Sequence, residues 1–245
     1  SGTDNAYLYL ALVLCEGEIE EIGDIYINDV ISTDSRYSGL ITINKHLGLD
    51  SQAADTMLTG ASIGWTTSHR LRGLAYIACK IKWDANVFGS LPTIHCVVKG
   101  RKVYDPRTSS TVYSTNPALC WRDYLINARF GKGLPASAID DTAVSAAANK
   151  CDTLVTPYTG AGQIKLFECN SVISTNQSIM NNCRVFLSGM RAFMPFSEGK
   201  YGLVIEDQKV SSTAFDFTED HIIGGINIST ERKQNKFNRV IATFA

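Results

Sequence analysis

The sequence predicts a β-rich α+β fold, and three observations carry that prediction. Gly73–Asp84 and Thr93–Val98 alternate apolar and polar side chains with a period of two. From Asn116 onward the pattern switches to helical spacing, opened by a capping residue followed by proline. Beyond residue 166 the alternation returns around a single further helix. The expected organisation is a β-rich domain over 1–108, a mainly helical insertion over 109–165, and a second β-rich domain with one helix over 166–245.

In the first domain, Ala6–Cys15 is the longest apolar run. It is too short for a membrane-spanning helix, which needs about 20 such residues, and is expected to form a buried strand. Ile25–Ile27 and Val30-Ile31 flank Asn28-Asp29 in the form of a short hairpin. In Gly73–Asp84, one face carries Ala75, Ile77, Cys79, Ile81 and Trp83 and the other Lys80 and Lys82. That pattern predicts a half-buried antiparallel strand. Thr93–Val98 repeats it with Ile94, Cys96 and Val98 inward, and Gly100 is expected to bend the chain before Val103 and Tyr104.

Asn116-Pro117 pairs an N-cap with proline at the first helical position, where the missing N–H costs nothing. Ala118, Trp121, Leu125 and Ala128 follow at helical spacing, and Gly131 and Gly133 are expected to stop the helix. A second helix is expected from Asp140-Asp141, whose carboxylates suit the positive helix end, through Ala143–Lys150. Thr156–Gly162 is the expected domain boundary. Ser174–Gln177 fits a capping box, with Ile179, Cys183, Phe186, Leu187 and Met190 as the apolar stripe behind it. Arg191–Phe196 and Tyr201–Glu206 flank the turn Ser197–Lys200, and a last strand pair is expected at Gly225–Ser229 and Phe237–Phe244, joined by the polar Thr230–Lys236.

The 245 residues carry 23 Lys+Arg against 24 Asp+Glu. A net charge of −1 leaves no basic excess of the kind that marks a nucleic-acid binder. No basic segment or small-residue cleavage site accompanies the apolar run near the start. The seven cysteines are an odd, widely spaced set without C-x-x-C, which argues for reduced thiols rather than a disulfide framework or a zinc site. The abrupt start at Ser1–Asn5 and the end inside a strand at Val240–Ala245 read as those of a segment of a longer polypeptide.

Candidate chemistry is sparse. His46, His69, His95 and His221 are far apart, and His95 and Cys96, being adjacent on a strand, point to opposite faces. Cys120 and Cys169 have no local histidine to activate them. Glu16, Glu18, Glu20 and Glu21 lie beside glycines between strands and read as a solvated turn rather than a carboxylate pair for hydrolysis. Asp216, Glu219 and Asp220 lack the order of a calcium loop, and Gly131-Lys132-Gly133 and Gly160-Ala161-Gly162 lack the rest of a phosphate-binding motif. The basic runs Lys99, Arg101, Lys102, Arg107 and Arg232, Lys233, Lys236, Arg239 read as solvated or subunit-facing edges, with phosphate contact as the other reading. No catalytic residue, cofactor or metal is expected, and the chain is read as not an enzyme.

One stretch narrows the function. Ser90–Asp141 holds Pro92, Lys99-Gly100, Val103 to Pro106, Asn116-Pro117-Ala118 and Arg129 to Gly133 in an order and spacing that resembles the tail-tip attachment proteins of lambda-like siphophages and related prophages. Leu14–Val30, Asn170–Asp207 and Lys236–Val240 resemble other parts of the same family, with Cys15 and Glu18 departing from its usual serine and proline.

This resemblance implies small β-barrel or tube-like hub domains with an α-helical insertion, and a structural role in a phage or prophage tail tip or baseplate hub. Three copies are expected to form a ring that closes the tail tube, contacts distal tail and tube proteins, and surrounds the tape-measure protein. DNA passes only in transit, and a host surface receptor is met through regions outside this sequence. The expected location is the virion tail, assembled in the host cytoplasm. Strand edges at 93–98 and 237–244 are expected at the seams, with Lys99, Arg101, Lys102 and Arg107 facing the lumen. The alternatives are a receptor- or carbohydrate-binding tail domain and a tail-associated hydrolase. The former needs exposed aromatics, for which Trp65 is the candidate, Trp83 and Trp121 being expected in the core.

Overall fold

The structure is a computed structural model that describes residues 6–158, 160 and 162–207. By internal contacts the chain divides into units 1–206 and 207–245. The expected strands 225–229 and 237–244, the acidic patch 216–220, His221 and the basic run 232–239 lie outside the described residues.

The fold is β-rich α+β. Its first half runs β1 (Tyr7–Glu16), β2 (Glu21–Ile27), β3 (Val30–Ile31), β4 (Ile41–Leu47), α1 (Thr56–Thr59), β5 (Leu74–Lys82), β6 (Ile94–Lys99), β7 (Lys102–Asp105) and β8 (Ser110–Tyr113). Two three-stranded antiparallel sheets, in the orders β1-β5-β4 and β3-β2-β6, pack together through Ile22 and Ile25 on one side and Ile77 and Cys79 on the other. Asn28 and Asp29 have φ of 48° and 64°, the left-handed pair that a two-residue hairpin turn needs, so the predicted hairpin forms as β2–β3.

Two expectations for this half are corrected. β5 is not half-buried: it is the central strand, and Tyr76 and Ala78 on its second face are covered by Leu58, Met57, Trp65 and Leu71. Trp83 is not in the core; the strand ends at Lys82, and Trp83, half exposed at 50%, lies beyond it. The apolar run near the start forms the edge strand β1, with Leu8 and Val13 open to solvent.

The second half runs α2 (Pro117–Ile126), α3 (Asp141–Cys151), β9 (Leu154–Val155), β10 (Ile164–Lys165), α4 (Ile179–Gly189) and four two-residue strands, β11 (Ala192–Phe193), β12 (Phe196–Ser197), β13 (Lys200–Tyr201) and β14 (Val204–Ile205). Asn116 caps α2 through the Ala118 N–H and also donates to the Ala148 carbonyl at 2.9 Å, tying α2 to the last turns of α3. Asp140 caps α3 as expected. Helix α2 stops at Ile126, before Ala128 and the glycines: the Asn127 side chain accepts the N–H groups of Arg129 and Phe130 and turns the chain.

The cap of α4 is Ser178, not the predicted Ser174; Ser174 closes a turn with Gln177 instead, so the helix begins four residues later. Cys183, Phe186 and Met190 of the predicted stripe are buried. β9 pairs with β10 across the Pro/Gly loop, and β12–β13 nests inside β11–β14 around Glu198-Gly199. One core unites this half with β7, joining Val103 to Leu119, Trp121, Leu125, Val144 and Phe186.

The barrel expectation is also corrected: no sheet among the described residues closes. Closure requires every edge strand to find a partner, and β4 fails to pair with β2. The Lys45 ammonium donates instead to the Ile22 and Gly23 carbonyls, each at 2.7 Å, so a side chain bridges the two sheets where a ladder would run.

Candidate functional site

The turn between β1 and β2 and the chain after β6 meet in a seam of opposite charges. The β2–β6 ladder sets Glu21 opposite Lys99, and their side chains pair at 2.5 Å. Lys102 lies 3.3 Å from Glu20 and 3.7 Å from Glu18. Arg101 bonds Asp123 at 3.1 Å and lies over the Phe130 ring, and Arg129 bonds Glu16 at 2.7 Å. Hydrogen bonds donated to Glu21 and Glu20 push the Lys99 and Lys102 ammonium groups above their ordinary range. Burial pushes the Asp123 carboxyl up, against the pull of Arg101 and Arg122.

Arg107 stands apart from the other three predicted basic residues. It grips Asp105 at 2.8 Å and reaches Asn149 and Asp152 at 3.0 and 2.9 Å, fastening the β7–β8 hairpin to α3. Asp105 is held below the ordinary carboxylate range by these bonds from Arg107. Lys99, Arg101, Lys102 and Arg107 thus face six carboxylates: Glu21, Asp123, Glu18, Glu20, Asp105 and Asp152. With four cations facing six carboxylates, these groups carry no basic excess. Both partners of this seam are visible in the sequence as separate runs, but Glu21 and Lys99 are 78 positions apart, and no local pattern joins them.

A second cluster has no signal in the sequence. Asp55, the cap of α1, is 1% exposed and accepts bonds from His46 and Asn44, both at 2.8 Å, and from the Leu58 N–H. The His46 ring stacks on Tyr76 at 4.2 Å. Burial opposes the Asp55 charge, but the bonds from His46, Asn44 and Leu58 outweigh it and hold the carboxyl below its ordinary range. These groups border an open cleft of about 670 Å³ lined by Ile43–His46 and Ala53–Thr56. A carboxylate that orients an imidazole serves catalysis when a nucleophile stands on the far side. Thr56 is the hydroxyl residue among those lining this cleft, and the bonds of Asp55 to His46 and to the Leu58 N–H pin β4 to α1.

Cys96 faces the core while His95 stacks on Tyr26 from the other face, as expected. Cys120 and Cys169 come together with each other. Trp121 is fully buried, whereas Trp65, expected to be exposed, is partly buried beside Leu58 and Tyr76 with its Nε1 enclosed. Among the described residues no group of three or more His, Cys, Asp or Glu is placed to hold a metal ion, and no helix is long and apolar enough to cross a membrane.

β6, the predicted seam strand, is an edge strand of its sheet, as β1 and β4 are of theirs. The other predicted seam, 237–244, lies outside the described residues. No family model matches the chain, and no curated protein matches it. Among solved structures, the chain is similar to a protein of the virion of a native gene transfer agent particle, at 26% identity over 38% of this chain and 20% of that one, with a TM-score of 0.30. The matched region thus spans about a fifth of that protein's length.

Proposed function

We propose that the chain is a structural component of a phage or prophage tail tip or baseplate hub, acting by assembly and not by catalysis. The observation that supports this reading is spatial. Leu14–Val30 and Ser90–Asp141, the stretches by which the sequence resembles tail-tip attachment proteins, fold against each other through the β2–β6 ladder, Arg129–Glu16 and Lys102–Glu20. Segments that build one shared surface form a unit that a family can preserve as a whole.

In this reading three copies close the end of the tail tube, contact distal tail proteins and surround the tape-measure protein. β1, β4 and β6 are end strands of their sheets among the described residues and offer edges for contacts between copies, and a head-to-tail contact closes into a ring when its rotation is right. Lys99, Arg101 and Lys102 face the lumen as a wall whose cations are already paired with carboxylates, past which DNA moves without exchanging its counterions for protein cations. The test is solution mass by light scattering, on this chain and on a version extended at both ends. A trimer in either, seen as a ring by electron microscopy, supports the reading; strict monomers in both overturn it.

A further inference from the structure

We propose that Cys120 and Cys169 form an oxidative modification site, a dithiol that a low-molecular-weight disulfide of the glutathione class converts into an intramolecular cross-link. Cys120 lies in the first turn of α2, and Cys169 in the extended segment after β10. Both side chains pack against the same core, and the two residues are anchored on adjacent carbonyls of one short segment. Cys120 Sγ lies 3.6 Å from the Ser114 carbonyl, and the Cys169 N–H donates to the next carbonyl, Thr115, at 2.7 Å. Thr115 Oγ1 donates to Glu168 at 2.9 Å, which fixes the residue preceding Cys169.

The pair differs from the other thiols of this half of the fold. Cys151 and Cys183 are buried, whereas Cys120 and Cys169 pack on the margin of the core and remain partly accessible. Their roles are unequal. The neighbouring Cys120, helped by Ser171 at 3.1 Å, keeps the Cys169 sulfur below the ordinary thiol range, while the proximity of Cys169 together with burial holds Cys120, whose S–H donates to the Ser114 carbonyl, above it. The thiolate is the attacking species in exchange, so Cys169 attacks and Cys120 resolves.

The exchange balances in two steps. The Cys169 thiolate attacks one sulfur of glutathione disulfide, breaking its S–S bond and releasing one glutathione thiolate. The Cys120 sulfur then gives up its proton, attacks the Cys169 sulfur of the mixed disulfide and expels the second glutathione. Two protein thiols become one disulfide, one glutathione disulfide becomes two glutathiones, and the two protein protons end on them. In a reducing cytoplasm the pair stays open, and it closes in an oxidising medium. Placing that change at release of a particle from its host rests on the proposed function; the thiol chemistry does not.

The test treats the whole chain with oxidised glutathione, then blocks remaining thiols and maps peptides by mass spectrometry. The expected product lacks two hydrogens, joins the Cys120 and Cys169 peptides, and melts roughly 5–10 °C higher until dithiothreitol is added. Cys120→Ser should trap one glutathione on Cys169, and Cys120→Ala serves if the serine variant fails to fold. Cys169→Ser should leave Cys120 unmodified over the same time. Two thiols that both remain open to alkylation in the folded chain, or a first disulfide mapped among Cys15, Cys79 and Cys96, would overturn the proposal.

Discussion

Arg122 on α2 closes a two-pronged ion pair on Asp141 at the start of α3, with Nε to Oδ1 at 2.6 Å and Nη2 to Oδ2 at 2.9 Å. The Arg122 side chain is 8% exposed and its guanidinium lies over the Tyr104 ring at 4.8 Å, so one residue joins α2, α3 and the β7–β8 hairpin. A forked pair of this kind depends on the planar guanidinium. Arg122→Ala should lower stability to urea by about 2 kcal/mol, discounted because Asp141 is 42% exposed. Arg122→Lys should recover less than half of that loss. Equal stability of the lysine variant and the parent protein would show that the fork contributes nothing.

Gly131 is required by space. A Cβ there would stand 1.7 Å from the Tyr124 carbonyl oxygen and 2.8 Å from that of Asn127, because the chain doubles back over the end of α2. Gly131→Ala should therefore cost more than about 3 kcal/mol or prevent folding. Gly160→Ala meets no atom within 4 Å and serves as the mild control, strained only by its φ of 70°. Thermal melts of the two variants give the comparison, and similar values would contradict the close approach at Gly131.

Asp55 sets an expectation for pH. Its folded pKa lies below the ordinary value, so its contribution is complete above the unfolded pKa of about 3.9 and is lost as pH falls through the folded one. Asp105 and Asp152 shift in the same direction, and Asp123 in the opposite one. Asp55→Asn keeps a capping oxygen but removes the titration. Urea midpoints of this variant should fall less steeply than those of the parent protein between about pH 5 and pH 2. An unchanged slope would mean that the carboxylate is not what His46 and Asn44 hold.

The seam at Lys99, Arg101 and Lys102 separates structure from function. These side chains are solvent-exposed and their pairing adds little to stability, so the triple alanine variant should fold and assemble. It strips Glu18, Glu20, Glu21 and Asp123 of their cations and makes the proposed lumen wall more negative. Infection by particles carrying it should fall while particle assembly is unchanged. Full infectivity would remove these residues from the path of DNA.

Local chemistry was enough for much of this molecule. The Asn28-Asp29 turn, the Asn116-Pro117 and Asp140 caps, and the alternation of β6 all act within a few residues, where side-chain spacing and backbone preference decide the outcome. The same locality explains the misreading at Ser174: two serines four positions apart offer equivalent capping oxygens, and in the fold Asn182 donates to both the Tyr124 hydroxyl and the Ser174 carbonyl, holding Ser174 in the turn ahead of the helix. Composition and periodicity therefore determined the fold class and most elements. Tertiary structure alone decided the rest. It made β5 central, brought the Glu16–Glu21 turn onto the basic run 78 residues away, buried Asp55 against His46, and set Cys120 against Cys169. Each of these depends on which surfaces meet when apolar faces are buried, and that choice is made by contacts distant in sequence, which leave no periodic trace along the chain.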